Sequence, residues 1–134
     1  MDVLPDDQEA VARWLRRMAD EEAVDLVLTT GGTGLAPRDV TPEATLSVLE
    51  RQAPGIAEAL RAAGLAKTPR AMLSRGVAGT RRRTLIINLS GSPKAVQEQW
   101  EAFLPVLPHA IETLRGEGQH PETCLLYTSP SPRD

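Results

Sequence analysis

A single cysteine, Cys124, removes two protein classes at once. No intrachain disulfide framework can form, and with His109 and His120 as the only histidines no Cys/His cluster has zinc-site spacing. Aromatic residues are only 3% of the chain, so any core must be assembled from Ala, Val, Leu and Ile. A basic excess is also missing. The net charge of −3 lacks the footprint of a chain that neutralises nucleic-acid phosphate, so no nucleic-acid partner is expected. No apolar run approaches the ~18 residues of a membrane helix, and Met1 is followed at once by Asp2 rather than by a basic and then apolar leader. What remains is a cytoplasmic soluble domain. Its 134 residues, 41% hydrophobic and 25% charged, suffice for one core.

The elements read as alternating helix and strand. Residues 6–19 form a helix pattern, with Pro5-Asp6-Asp7 as its start signal and Val11, Trp14, Leu15 and Met18 on one face. Residues 24–28 are a short apolar strand that runs into Thr29-Thr30-Gly31-Gly32-Thr33-Gly34. A helix follows, with Thr41 as N-cap type, Pro42 at its first position and Glu43 against the positive end of its dipole. Residues 56–63 read as a short helix stopped by Gly64. The stretch 68–80 is open to three readings: a helical turn, an irregular strand or half of a hairpin. Residues 84–89 (TLIINL) are the clearest strand, apolar throughout as a strand covered on both faces should be. Ser92 and Pro93 then start another helix, Pro105 and Pro108 interrupt it, and a last helical piece ends at Gly116. Arg81-Arg82-Arg83 reads as a solvated turn before the buried strand.

One device occurs twice: a buried strand, then glycine with small hydroxyl residues, then a helix opening in Thr-Pro or Ser-Pro. Parallel strands of an α/β sheet carry their ligands outside their carboxyl ends. Glycines there let backbone N–H groups approach an anion, and a helix N-terminus adds about half a positive charge. Two such loops on one edge suit phosphate groups. Neither is a P-loop, since no Gly-Lys-Ser/Thr follows, and neither has dinucleotide-fingerprint spacing. Asp39, just past the first loop, has two readings: a magnesium ligand beside ligand phosphates, or part of the solvated approach to Thr41. Asp6 has two as well, a helix cap or a site residue. Ser92 is a cap, with ligand contact left open. His109 and His120 have no partner at recognisable spacing and are assigned no chemistry.

Residues 29–45, TTGGTGLAPRDVTPEAT, resemble the signature of the molybdopterin adenylyltransferase family, which includes the G domain of gephyrin. The likeness continues through TPRAMLSRGVAG (68–79), TLIINLSGSPKAV (84–96) and residues 102–111, and so covers about 3–121. Arg38-Asp39 separates it from the central domain of molybdopterin molybdenumtransferase, whose loop resembles TGGVS-x-GD. The resemblance implies a three-layer αβα fold with a mostly parallel, Rossmann-like sheet. It also implies an enzyme of molybdenum cofactor biosynthesis that uses ATP and Mg²⁺ to adenylylate molybdopterin, releases pyrophosphate and passes the product to a molybdenumtransferase. Family members are usually homotrimers. Alternatives are a non-catalytic molybdopterin-binding module or an inactive fragment.

Carried over by position, Asp39 matches the family's essential acidic residue and its metal ligand, and Asp6 a second catalytic acidic position. Thr30, Gly31, Gly32, Thr33 and Gly34 match the pterin- and nucleotide-phosphate loop. Gly91, Ser92 and Pro93 match the second loop, and Ser74-Arg75 match an SR segment of the family pattern. Ser90 departs from it, standing where the family usually has Pro. The family's first strand, its helix and most of a second strand have no counterpart before Val3-Leu4, so the domain over 1–121 is expected to be incomplete at its N-terminus, with sheet edges left unpaired. Residues 122–134 read as a disordered or non-native tail, because from Cys124 the Ser/Pro-rich CLLYTSPSPRD has no structural period and resembles translated adapter sequence.

Overall fold

The amphipathic pattern near the N-terminus becomes α1, Gln8–Asp20, which buries Val11, Ala12, Leu15 and Ala19. Its cap is Asp7, whose Oδ2 accepts the Ala10 N–H at 3.1 Å, one residue later than the sequence pattern suggests. Asp6 therefore stands outside the helix with its carboxylate not committed to capping. The computed structural model describes residues 1–116. His120, Cys124, the last residues of the 1–121 domain and the whole 122–134 tail lie outside the described residues.

After α1 come β1 (Leu26–Thr30), α2 (Thr41–Val48), β2 (Arg51–Gln52) and α3 (Pro54–Leu65). A 3₁₀ turn at Pro69–Leu73 leads to β3 (Ala78–Arg81), β4 (Thr84–Leu89), α4 (Pro93–Phe103) and α5 (Leu107–Leu114), the last two joined by a 3₁₀ turn at Leu104–Val106. The ambiguous 68–80 stretch is thus a helical turn followed by half of a hairpin. Two boundary expectations are corrected. Thr41 is the first helical residue rather than the cap; Val40 precedes it without a side-chain cap, and the Thr41 N–H donates to Gly32 O at 3.1 Å. Gly64 lies inside α3 rather than ending it. A Cβ there would come within 2.8 Å of the Ala71 Cβ, so its smallness serves the packing of the following turn.

The sheet has the order β1-β4-β3-β2. Here the mostly parallel expectation is corrected: β1 and β4 are parallel, from Leu26↔Leu85 to Thr30↔Leu89, but β3–β4 and β2–β3 are antiparallel. The physical reason is the short Arg82-Arg83 connection, since two residues can reverse a chain but cannot make a parallel crossover. The outer edge of β1 is unpaired among the described residues, and Leu28 on it is 37% exposed.

All six residues of β4 are buried. Its side chains alternate between two cores. Ile86 joins Leu15, Val27, Ala44 and Val48 beneath α1 and α2, while Leu85, Ile87 and Leu89 join Leu60 and Phe103 beneath α3, α4 and α5. That gives the three-layer αβα arrangement, each fully buried Leu or Ile contributing about 1.5–3 kcal/mol.

The arginine run also differs from its expectation. Arg82, at φ +52°, and Arg83 are exposed at the β3–β4 turn. Arg81 ends β3 and points inward: Nε and Nη2 donate to the two Asp20 carboxylate oxygens at 3.0 and 2.9 Å, and Nη1 donates to Val48 O at 2.9 Å. This hydrogen bonding outweighs the cost of partial burial and holds the Asp20 carboxyl below its ordinary value. The ends of α1 and α2 are thereby tied to the hairpin.

Candidate functional site

Parallel pairing of β1 with β4 puts the two glycine loops side by side, because both strands release the chain at the same edge. Gly31 N–H donates to Leu89 O at 3.1 Å, joining the first loop to the end of β4. A Cβ on Gly91 would come 3.3 Å from the Gly31 Cα, so the two backbones meet closely and a side chain at 91 would push the first loop back by a few tenths of an ångström. Ser92 caps α4 as expected, its Oγ accepting the Ala95 N–H at 3.2 Å, with Pro93 in the first turn.

On one side of this junction lies a cleft of about 240 Å³. Thr29, Thr30, Gly31, Gly32 and Thr41 line it together with Asp6, Leu4 and Trp14. On the other side a cleft of about 400 Å³ is bordered by Thr68, Arg70, Ser90, Ser92 and Gln99. A larger concavity, about 610 Å³, runs along Arg13, Trp14 and Arg17 of α1. It touches neither loop, so its size carries no weight in locating the site.

Of the residues singled out in the sequence, Asp6, Thr30, Gly31 and Gly32 share the first cleft, and Gly91 abuts Gly31. Ser92 faces the second cleft. Asp39 is not among the residues lining either. It is half-buried in its own loop, where Oδ2 accepts the Ala36 N–H at 3.0 Å and its backbone N–H donates to Ala36 O at 2.9 Å. Oδ1 takes no hydrogen bond from the described residues. Thr33 is buried, and its carbonyl accepts the Arg75 N–H at 2.8 Å.

Ser74 lies next to Arg75, with its Oγ accepting the Gly76 N–H at 3.3 Å, and Arg75 braces the first loop. Arg75 Nε donates to Gly34 O at 2.8 Å, Nη2 to Asp39 O at 2.7 Å, and the guanidinium pairs with Glu43. One side chain thus holds both ends of the segment between the glycines and Asp39 and pins it to α2. Arg61 in turn donates to Ser74 O at 2.9 Å and Gly76 O at 3.1 Å.

The Arg75 hydrogen bond keeps the Glu43 carboxyl below its ordinary value of 4.5. Because the folded-state value is depressed, the pair's stabilisation is present above the ordinary glutamate value and is lost as pH falls through the depressed one. A half-exposed pair contributes no more than about 1 kcal/mol. Glu43→Gln is therefore expected to lower thermal stability modestly at neutral pH and not at all in acid. Melting curves recorded across the acid range check this, and a deficit that persisted at the acid end would remove the ionic explanation.

Two buried polar residues were passed over in the sequence reading. Asn88 donates through Nδ2 to Thr29 Oγ1 and Thr45 Oγ1, both at 3.0 Å, and accepts the Val77 N–H at 3.1 Å. It links β1, α2 and the approach to β3 at the carboxyl edge of the sheet. Its signal was a lone amide inside an otherwise apolar buried strand. Gln99 accepts the Ser90 N–H at 2.9 Å and donates to Ser90 Oγ at 3.1 Å. Nothing in the helical period of α4 marked Gln99.

Among the described residues no group of three or more His, Cys, Asp or Glu could hold a metal ion by protein ligands alone. No helix among them is long and apolar enough to cross a membrane.

Two glycine loops in contact at the carboxyl edge of parallel strands, one flanked by an acidic residue with an open oxygen, define the class as an α/β domain with paired loops at one sheet edge. Residues 1–109 match the family described as "Probable molybdopterin binding domain", and the chain belongs to that family. The resemblance read from its motifs is thereby shown. A molybdopterin adenylyltransferase of Helicobacter pylori strain J99 is 44% identical over 115 residues, 86% of this chain and 65% of its own length. That of Escherichia coli K12 is 48% identical over 126 residues, 85% and 65% respectively. Among solved structures, the molybdopterin biosynthesis enzyme MoaB of Thermus thermophilus superposes with a TM-score of 0.78 at 60% identity, covering 84% of this chain and 70% of that one. The chain spans 65% of the length of the two adenylyltransferases.

Proposed function

We propose that this chain catalyses the adenylylation of molybdopterin in molybdenum cofactor biosynthesis. The terminal phosphate oxygen of molybdopterin attacks the α-phosphorus of ATP. The bond from that phosphorus to the bridging oxygen breaks, and pyrophosphate leaves with the electron pair. The observation that carries this reading is the contact of the two loops at Gly31 and Gly91, which brings the ends of β1 and β4 and the capped start of α4 to one edge, where phosphate groups would be received.

Thr30 to Gly34 receive substrate phosphate, and Gly91, Ser92 and Pro93 receive it from the other side. Ser74 contributes to substrate binding, and Arg75 beside it holds the first loop in place. Asp39 would hold Mg²⁺. Its uncommitted Oδ1 suits an ion that binds one or two carboxylates and takes its other oxygens from phosphate and water. That ion would supply charge neutralisation for the transferring phosphoryl group. Asp6, exposed and lining the same cleft as Thr30 and Gly31, is the second catalytic carboxylate. A carboxylate in the same cleft as a phosphate loop repels a bare anion, so its presence there favours substrate arriving with a cation. We also propose that the protein acts in the cytoplasm as a homotrimer that hands its product to a molybdenumtransferase. The exposed Leu65, Met72 and Leu73 supply apolar surface for self-association.

The test supplies molybdopterin, ATP and Mg²⁺ to the purified chain and follows pyrophosphate release, together with the mass of the pterin product. Release with a gain of one adenylyl group is expected. Molybdopterin binding without release would make this a binding module instead, and absence of both would overturn the proposal.

A further inference from the structure

The second loop is held by a single helix side chain. Ser90 offers an N–H and a hydroxyl, and the Gln99 carboxamide meets both, accepting from Ser90 N at 2.9 Å and donating to Ser90 Oγ at 3.1 Å. Gln99 is 6% exposed, so both halves of its amide are satisfied inside the protein by the residue that begins the loop. Ser90 immediately precedes Gly91, whose backbone rests against Gly31. Proline at position 90 could make neither bond: it has no N–H and no hydroxyl, and would restrain the backbone through its ring instead. The departure from Pro to Ser noted in the sequence thus coincides with a glutamine, further along in α4, that supplies a different restraint.

We propose that Gln99 is a positioning residue for the proposed adenylylation, acting through Ser90 to hold Gly91 and the α4 N-terminus in register with the first loop. The inference rests on the phosphate-handling reading of the two loops. Its physical content is that Ser90 and Gln99 work as one unit: Gln99 freezes what a ring would otherwise freeze, and each is of little use without the other.

Three variants test this. Gln99→Leu keeps the buried volume and removes both bonds. Ser90→Pro leaves the Gln99 amide buried and unpaired. The double variant Ser90→Pro with Gln99→Leu restores a restrained loop over an apolar partner. Hydrogen exchange at the Gly91 and Ser92 amides, at the Ser90 amide where serine is kept, and pyrophosphate release are measured for each. Gln99→Leu is expected to speed exchange at Ser90 and to raise a substrate KM about tenfold with kcat little changed, the signature of a loop that must be re-ordered on binding. The double variant is expected to recover most of that KM and to exceed Ser90→Pro alone in melting temperature.

A Gln99→Leu protein with unchanged exchange at Ser90 would overturn the inference, as would a double variant whose losses simply add. Should the unmodified chain release no pyrophosphate, the proposed reaction fails while exchange and melting still decide whether the two residues act as a unit.

Discussion

Asp39→Asn is expected to abolish pyrophosphate release, by about a hundredfold or more in kcat, while molybdopterin binding is largely retained. The substitution keeps the volume of the side chain and an oxygen that can still accept the Ala36 N–H, so the loop hydrogen bond at 3.0 Å need not break. Arg75 holds the same loop through the Gly34 and Asp39 carbonyls, which the change leaves untouched. What disappears is the negative charge, and with it the oxygen suited to a hard cation. Binding energy drawn from backbone donors survives, but charge neutralisation at the transferring phosphorus does not. Steady-state turnover and calorimetric titration with molybdopterin, done on the same preparation, separate the two effects. Wild-type turnover in the Asn protein would sink the role given to Asp39. Lost binding alongside lost turnover would mean that the carboxylate shapes the loop rather than serving the reaction.

Gly32→Ala should lower stability strongly, by about 2–4 kcal/mol. Gly32 has φ +71°, a region that costs a residue with a side chain roughly 1–2 kcal/mol. The added methyl would also fall on Thr41 Oγ1, well inside van der Waals contact, with Thr41 Cβ only 3.2 Å away. Thr41 cannot retreat freely, because its N–H is bonded to Gly32 O and it begins α2. The strain therefore passes into the helix start and into the first cleft, and turnover should fall with stability. Gly55→Ala is the matched control. Gly55 lies in α3 with nothing within 4 Å of a Cβ, so its melting temperature should hold or rise slightly. A Gly32→Ala protein that melts with the wild type would show that the loop relaxes at no cost.

The sequence reading was most secure where local chemistry and burial agree. The buried strand at 84–89, the Ser92 cap and the proline-broken junction of α4 and α5 follow from side-chain type over a few residues, and each is present in the structure. Boundaries were less secure. Asp6 and Asp7 are chemically equal as caps, and the choice of Asp7 depends on where α1 packs, not on residue type. The 68–80 stretch could not be resolved either, because β3 is partnered from outside itself, by β4 and by two residues of β2.

Local sequence by itself determined that two glycine loops follow two buried strands, and that an acidic residue stands just beyond the first of them. Motif likeness extended this to the molybdopterin-binding family, which is a statement about which residues occur together. Tertiary structure alone decided that the loops touch, because contact between Gly31 and Gly91 requires β1 and β4 to be neighbours and parallel although residues 31–83 separate them in the chain, a pairing no local pattern encodes. It likewise decided that Arg75, Asn88 and Gln99 hold the site in place. Each reaches its partners only after the sheet and helices have packed, and a polar side chain in isolation does not announce which carbonyl or hydroxyl will be waiting for it.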